Sequence, residues 1–167
     1  MSNRLPKELA VYKLLEQLNI PYEQIDHDAA ETMEACELID IQLGVTMCKN
    51  LFLRNQQKTN FYLLLMPGDK KFMTKVLSKQ LGISRLSFAE SEYMEKYLNI
   101  APGSVSVMGL MNDKDGAVNL LIDQDILDAE YIGCHPCVNT SSMKIKTEDI
   151  LAKFLKYTGH KYTRVEL

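Results

Sequence analysis

The chain has 167 residues, of which 46% are hydrophobic, and a formal net charge of −3. This length and composition predict one domain, residues 1–167, with its own core, and they exclude two domains of ordinary size. No apolar run reaches the roughly 18 residues that a membrane span needs, and the first residues lack the apolar stretch of a secretion signal, so we expect a cytoplasmic protein with no membrane partner.

Apolar residues at helical spacing predict a first helix, which Pro6 can open and Pro21 ends. A short strand follows, and then a second helix that Gly44 ends. Two apolar runs separated by five polar residues come next and predict a β-hairpin. The predicted elements of this half are, in chain order, 6–20, 22–27, 31–43, 50–54 and 60–66.

The second half begins with two helices, of which the first ends at Gly82. Two further apolar runs flank residues 112–116, whose Asp-Gly pair predicts a second hairpin. Thr147 can cap a last helix through its hydroxyl, and a final strand follows. In chain order these elements are 71–81, 89–98, 104–111, 117–122, 148–157 and 161–166.

Hairpins that alternate with helices, without a regular strand–helix–strand rhythm, predict an α+β fold. Its sheet is expected to be mixed and mainly antiparallel, with helices packed around it. The sequence contains neither of the glycine-rich fingerprints of Rossmann and P-loop proteins, which argues against both of those folds.

The charges of the chain are unevenly distributed. Residues 70–89 include five basic residues and no acidic one, whereas residues 14–48 include eight acidic residues and no lysine or arginine. Binding to phosphates needs local positive charge rather than a basic total, so Lys70, Lys71 and Lys75 are candidate RNA-binding residues. The alternative is that these lysines form the solvated face of a helix.

Lys49 and Asn50 stand at the beginning of the first predicted hairpin strand. In an extended chain Lys49 shares a face with Leu51 and Leu53, while Asn50 shares the other face with Phe52. An ammonium group in line with two leucines either reaches out to solvent or meets a negative group of a ligand. The alternative is an ordinary lysine at the end of an edge strand.

The segment 133–140 is unusual because it contains one of only three histidines, between a glycine and a proline. Pro136 favours an extended conformation for His135, and Gly133 allows the backbone to approach a ligand closely. Asn139 can donate and accept hydrogen bonds at the same time, which suits a ligand carbonyl or a turn. A lone histidine is more often structural than catalytic. Backbone groups of this segment are therefore as good candidates for contacting a ligand as the imidazole is.

The segment 102–106 offers a glycine and hydroxyl groups in front of an apolar run. Gly103, Ser104 and Val105 could present backbone N–H groups to a carbonyl oxygen, an arrangement that stabilises the charge that develops during ester hydrolysis. The alternative is an ordinary turn.

The four cysteines are expected to be reduced in a cytoplasmic chain. Cys134 and Cys137 have the spacing of thiol oxidoreductases and of half a zinc site. A structural zinc needs about four ligands, and the other candidates are not paired in the sequence. A redox motif should open a helix, whereas the residues after Cys137 resemble an extended chain. We therefore expect no metal and no cofactor, and the alternative is a thiol or zinc module formed by Cys134 and Cys137.

In these residues the chain resembles the YbaK and prolyl-tRNA editing family, and within it the free-standing alanyl-tRNA(Pro) deacylases. The resemblance extends over nearly the whole chain. No single motif is diagnostic, but their order and spacing are specific. The segments that carry it are 49–53, 102–106, 110–113, Asp123, 135–136 and 139–140.

The resemblance implies an α+β domain with a mixed, curved sheet. It also implies hydrolysis of the ester that joins a wrong amino acid to the 3′ end of tRNA, with tRNA as partner and prolyl-tRNA synthetase as a further candidate partner. In this family Lys49 and Asn50 would position the substrate, Gly103 would line the pocket and His135 would form its wall. The substrate's own hydroxyl or amine, rather than a protein nucleophile, would help to activate water.

One departure from the family is Val107, where the loop often has a proline. We expect this change to affect the preferred amino acid more than the reaction. A rival function of another class is a regulatory protein that binds an aminoacyl-tRNA or an amino acid in the same pocket without hydrolysing it. The altered loop is the feature that supports this rival.

Overall fold

The computed structural model describes residues 4–29, 33–45 and 47–167. The helices of this part are α1 to α5, a 3-10 helix and a C-terminal helical segment. Their bounds are α1 Pro6–Gln17, α2 Met33–Leu43, α3 Thr74–Leu81, α4 Ser91–Leu98, the 3-10 helix Val107–Asn112, α5 Gln124–Asp128, and the C-terminal segment 147–158. The strands are β1 Tyr22–Asp26, β2 Cys48–Arg54, β3 Phe61–Pro67, β4 Ser87–Phe88, β5 Val118–Asp123, β6 Tyr131–Cys134, β7 Ser141–Lys146 and β8 Tyr162–Val165.

The strands form two sheets. The larger sheet has the order β4-β2-β3-β5-β8, and the smaller has the order β1-β7-β6. In the larger sheet β2 pairs antiparallel with β3 and β4, whereas β5 pairs parallel with β3 and β8. Both pairings of the smaller sheet are antiparallel. The predicted α+β class, with a mixed and mainly antiparallel sheet arrangement, is confirmed.

The apolar core lies on both faces of the larger sheet. Leu63 and Leu65 of β3 belong to the larger cluster, while the intervening Leu64 and the next residue, Met66, belong to the smaller one. All four side chains are fully buried. Burial of a leucine side chain contributes roughly 1.5–3 kcal/mol, so β3 stabilises the fold through both of its faces.

A short parallel bridge between Met47 and Gly133 connects the two sheets. Gly133 leaves little room for a side chain there, because an added Cβ would lie 3.1 Å from the Met47 Cα and 2.9 Å from the Met47 sulfur. The bridge places the beginning of β2 beside the end of β6. These are the two segments that the sequence marked as unusual.

The predicted strand at 104–111 is wrong, because residues Val107–Asn112 form a 3-10 helix. The Ser106 hydroxyl caps this helix by accepting a hydrogen bond from the Met108 N–H at 3.1 Å. Such a local bond to the backbone competes with strand pairing. The hairpin predicted at 112–116 is therefore also wrong, and β5 instead pairs parallel with β3.

The other predicted elements are present with shifted ends. Residues 31 and 32 of the predicted second helix lie outside the described residues. The last helix, 148–157, contains a π-helical turn at Ile150–Phe154. The predicted cap at Thr147 is wrong, since its hydroxyl is buried and has no hydrogen-bond partner in the described part of the chain. No helix among the described residues is both long and apolar enough to cross a membrane.

Asp113 connects the end of the 3-10 helix to β5 and to the C-terminal region. Its carboxylate accepts hydrogen bonds from the backbone N–H groups of Ala117 at 3.0 Å and Val118 at 2.8 Å. His160 Nε2 lies 2.8 Å from the same carboxylate. Both side chains are buried. These bonds fix the entry of the chain into β5.

We expect Asp113→Ala to lower the free energy of unfolding by about 3 kcal/mol, because it leaves buried donors without an acceptor. Urea unfolding followed by circular dichroism measures this loss. Asp115→Ala is the matched control, since Asp115 is exposed in the same turn and its loss should change stability by less than about 0.5 kcal/mol. Equal stabilities of the two variants would contradict the role given to Asp113.

Candidate functional site

Three segments meet at the bridge between the sheets: the beginning of β2, the end of β6 with the residues that follow it, and the loop before the 3-10 helix. The Ser106 hydroxyl donates a hydrogen bond to the His135 carbonyl oxygen at 2.5 Å, which joins the loop to the segment after β6. A Cβ added to Gly103 would lie 3.7 Å from Asn139 Nδ2. The fold thus brings three of the candidate residues, Gly103, His135 and Asn139, into one region.

A cavity of about 310 Å³, which we call the loop cavity, lies between the 101–104 loop and the 137–140 segment. The first turn of α1 completes it with Lys7 and the buried Glu8. Gly103 has a φ of 87°, a left-handed conformation that favours glycine. Residues that line the loop cavity are Leu5, Lys7, Glu8, Ala101, Pro102, Ser104, Cys137, Val138, Asn139 and Thr140.

Glu8 is a residue of this region that the sequence interpretation missed. Its carboxylate accepts hydrogen bonds from Arg4, from the Tyr12 hydroxyl at 2.6 Å and from the Ser141 hydroxyl at 3.2 Å. Arg4 also bridges to Asp26 at 2.7 Å. This cluster attaches α1 to the smaller sheet. A glutamate one turn into a helix gives no sequence signal for such burial.

Two of the predicted loop residues have structural contacts. Val105 packs against the larger core cluster, and the N–H of Ser104 donates to the Ala101 carbonyl at 3.2 Å. Val107, which stands in place of the family's proline, is fully buried in the larger core cluster. Its side chain packs in the core beneath the loop and does not line the loop cavity.

The His135 ring is held by Ser141, whose carbonyl oxygen lies 2.8 Å from Nδ1. A carbonyl can only accept, so Nδ1 carries the proton and Nε2 is an acceptor. Burial lowers the pKa of His135, and the neighbouring His27 lowers it further. The ring is therefore neutral at pH 7.

His27 was not predicted as a site residue. Its ring centroid lies 6.4 Å from that of His135, and its Nε2 lies 2.8 Å from the Ser142 hydroxyl. The register of β1 and β7 brings these residues together, since Asp26 pairs with Ser141. Sequence reasoning could have found His27 only by knowing that register.

The side chain of Lys49 lies on the face of β2 that is opposite to the side chain of Asn50. Its ammonium donates a hydrogen bond to the carbonyl oxygen of Lys70, and its side chain lines a groove of about 420 Å³. We call this the lysine groove. Leu51, the next residue on that face, packs against the smaller core cluster, in agreement with the predicted strand alternation. The groove is lined by Lys49, Leu51, Phe72, Met73, Thr74, Lys75 and Phe88.

Asn50 points to the other face, the one that carries Phe52 and the larger core cluster. Its Nδ2 donates to the Cys48 carbonyl at 3.3 Å. Its Oδ1 is buried and has no hydrogen-bond partner among the described residues. An unsatisfied buried acceptor costs about 1–3 kcal/mol, so Oδ1 is a favourable place for an N–H or O–H group of a ligand.

Lys70, Lys71 and Lys75 have different environments. The Lys70 ammonium lies 2.8 Å from carboxylate oxygens of both Asp123 and Asp125, and these bonds raise its pKa. Its charge is therefore compensated within the protein. Lys71 and Lys75 are exposed, and none of the ion pairs in the described part of the chain includes them.

The four cysteines are free thiols, and Cys134 and Cys137 are buried. Burial raises the pKa of Cys137 to about 12 and raises that of Cys134 as well. Reactive thiols have lowered pKa values, so the environment of this pair is the opposite of a redox motif. Among the described residues, no group of three histidine, cysteine or acidic side chains is arranged to hold a metal ion.

Comparison with known proteins places these features in a family. The model of the aminoacyl-tRNA editing domain matches residues 27–153. The prolyl-tRNA editing protein ProX of Acetoanaerobium sticklandii is 34% identical over 158 residues, which cover 95% of this chain and 96% of ProX. Prolyl-tRNA synthetase associated domain-containing protein 1 of Mus musculus is 32% identical over 147 residues, or 86% of each chain.

The fold agrees with this assignment. A crystal structure described as a candidate trans-editing enzyme for prolyl-tRNA synthetase superimposes with a TM-score of 0.72 at 15% identity, over 99% of both chains. The family match covers most of the chain and includes β2, the 101–104 loop and the segment after β6. The chain belongs to the aminoacyl-tRNA editing domain family.

Proposed function

We propose that this protein is an aminoacyl-tRNA deacylase that acts in trans, with residues 1–167 forming one editing domain. It hydrolyses the ester between a wrong amino acid and the 3′ end of tRNA, and its preferred substrate is Ala-tRNA(Pro). The observation that supports this most directly is the Met47–Gly133 bridge, which brings the beginning of β2 beside the end of β6, where Ser106 joins the Gly103 loop to His135. The similarity to ProX, a prolyl-tRNA editing protein, points to prolyl-tRNA.

In this proposal Asn50 and the Gly103 loop position the ester. The free Oδ1 of Asn50 accepts a hydrogen bond from the amine or hydroxyl of the substrate. The N–H groups of Gly103 and Val105 are the proposed donors to the ester carbonyl, since the N–H of Ser104 is already bonded to the Ala101 carbonyl. Donors that point to the oxygen where negative charge develops lower the barrier to hydrolysis.

Water is the nucleophile in this mechanism. Its oxygen attacks the ester carbonyl carbon, the bond to the ribose oxygen breaks, and that oxygen takes up a proton as the amino acid leaves. The substrate's own amine or hydroxyl orients the water. The buried cysteines are poor nucleophiles because their pKa values are raised.

The loop cavity supplies selection by size. Its volume of about 310 Å³ is at the small end of ligand pockets, which commonly measure about 300–1,000 Å³. A synthetase gains only about 1–3 kcal/mol of discrimination for each missing methylene, so it admits a smaller amino acid too often. A separate site that accepts only the smaller product corrects this error. Asn139 and Ser104 form part of the wall that limits the size.

Deacylation of a panel of charged tRNAs tests the proposed function. The purified protein is mixed with Ala-, Cys-, Ser- and Pro-tRNA(Pro), and release of the labelled amino acid is followed. We expect Ala-tRNA(Pro) to be hydrolysed fastest and Pro-tRNA(Pro) to be spared. Binding of these tRNAs without hydrolysis of any of them would favour the rival function, a regulatory binding protein.

Lys49→Ala should reduce the deacylation rate by about 100-fold or more. A positioned ammonium stabilises a phosphate or orients the ester through charge-assisted bonds, and alanine removes this contribution. Circular dichroism should show an intact fold, because the lost hydrogen bond to the Lys70 carbonyl is only partly buried. Lys114→Ala, at an exposed turn, is the control with the same loss of charge and should retain full activity.

The salt dependence of tRNA binding tests the basic residues. We expect the double variant Lys71→Ala/Lys75→Ala to reduce the slope of log affinity against log salt by roughly two, since each phosphate contact contributes about one. Lys70→Ala should change the slope little and lower stability instead, because it leaves the buried Asp123 without its cation. An unchanged slope in the double variant would show that Lys71 and Lys75 are only solvated.

His135 does not line the loop cavity directly but adjoins the segment that does, so His135→Ala should lower the rate only about tenfold. Loss of a proton-transfer group would cost about 10²–10⁴ instead. The shape of the pH–rate profile should not change between about pH 5 and 8. Cys134→Ser and Cys137→Ser should retain most activity. A thousandfold loss with an altered pH profile would instead identify His135 as a general base.

The same residue should influence stability through its lowered pKa. In the unfolded chain His135 takes up a proton near its ordinary pKa of about 6.5, whereas the folded protein does so only at lower pH. The unfolded state therefore holds more protons below that value, and stability falls as the pH decreases through this range. Urea unfolding at a series of pH values should show a smaller decrease for His135→Ala.

A further inference from the structure

We propose that the lysine groove binds the unpaired 3′ end of an RNA, with one base stacked on Phe88 and a phosphate held by Lys49 and Lys75. This inference rests on the proposed function, since it names the part of the substrate that the groove takes. It assigns Phe88, Phe72 and Lys75 to a binding site separate from the loop cavity.

Phe88 is an exposed aromatic residue in a fixed position. It belongs to the two-residue edge strand β4 and pairs with Leu53 of β2. Its ring centroid lies 5.8 Å from that of Phe72, with an angle of 66° between the planes. This contact orients the ring, yet 58% of Phe88 remains exposed. An oriented, exposed aromatic ring is the type of surface on which unpaired bases stack.

The neighbouring charges favour a polyanion. Lys49 and Lys75 line the same groove as Phe88, and Lys71 is exposed beside Phe72 in the chain. The ammonium of Lys49 is bonded to a neutral carbonyl, so its charge is not cancelled there. Two acidic residues near these lysines have cations of their own, since Glu90 pairs with Arg54 at 2.6 Å and Asp123 pairs with Lys70. Asp69 is exposed and belongs to none of the ion pairs in the described residues, but it does not line the groove.

A second copy of the chain is the other occupant that an apolar groove could have. Met73 is 52% exposed beside Phe88, so some apolar surface is available for such a contact. A two-fold interface would, however, bring the same lysines of both copies together. Like charges that face each other oppose association, whereas an RNA backbone neutralises them. The positive charge of the groove therefore favours an RNA over a second copy of the chain.

The groove also lies in the right place relative to the ester. Lys49 and Asn50 are consecutive, so their Cα atoms are about 3.8 Å apart. Because strand residues alternate, Lys49 faces the groove while Asn50 faces the side of the Gly103 loop and His135. A terminal nucleotide bound in the groove can therefore place its aminoacyl ester on the other side of the beginning of β2, next to Asn50.

The probe for this site is a short RNA hairpin with a single-stranded 3′ end whose last base is the fluorescent adenine analogue 2-aminopurine. Stacking on Phe88 should quench its fluorescence when wild-type protein is added. Phe88→Ala should abolish the quenching and weaken binding about tenfold, and Phe88→Trp should preserve both. Tyr157→Ala is the matched control, since Tyr157 is an exposed aromatic residue outside the groove, and it should bind as the wild type does.

Two results would overturn the inference. The first is equal binding and quenching by Phe88→Ala and the wild type. The second is a wild-type protein that sediments as a dimer which Phe88→Ala dissociates without a change in RNA binding, because the groove would then join two copies. Deacylation is measured separately on the tRNA panel. A wild type that deacylates without quenching refutes only the groove, and one that quenches without deacylating refutes only the proposed function.

Discussion

The close contact between Gly133 and Met47 determines where the candidate site residues lie relative to one another. A Cβ added to Gly133 would lie only 3.1 Å from the Met47 Cα, and a Cβ added to Gly68 would lie 2.6 Å from the Met47 carbonyl oxygen, which is a clash. Two glycines thus let the chain pass on both sides of Met47 at the point where β2 begins. The larger and the smaller sheet join there, and the Lys49–Asn50 pair comes to lie beside the end of β6.

The alternation of a β-strand lets one dipeptide serve two surfaces. Lys49 faces the lysine groove and Asn50 faces the region of the Gly103 loop and His135, because successive side chains of β2 point to opposite sides. A substrate with a charged nucleotide part and a small aminoacyl part has two such portions to bind. The proposed division of work, with phosphate and base on one face and the ester on the other, follows from this geometry.

Local patterns in the sequence were sufficient for the β2–β3 hairpin, for α3 with its terminal glycine and for the orientation of Lys49. They failed where distant contacts decide. The 3-10 helix depends on the Ser106 hydroxyl, which accepts a hydrogen bond from the first turn of that helix and donates one to the distant His135 carbonyl. The charge of the Lys70 ammonium is compensated by Asp123, which is 53 positions away in the sequence. The approach of His27 to His135 depends on the register of β1 with β7, which hydrophobic spacing alone does not give.

Asp123 shows how a buried charge can influence the site without touching it. The carboxylate is fully buried, pairs with the Lys70 ammonium at 2.8 Å and accepts a hydrogen bond from the Leu167 N–H at 3.0 Å. The side chain of Lys70 is therefore anchored, and with it the backbone of the turn after β3. The carbonyl oxygen of that same Lys70 accepts the hydrogen bond from Lys49. Asp123 thereby fixes the position of the Lys49 ammonium through one intervening residue, Lys70, whose own charge is compensated by Asp123 and Asp125.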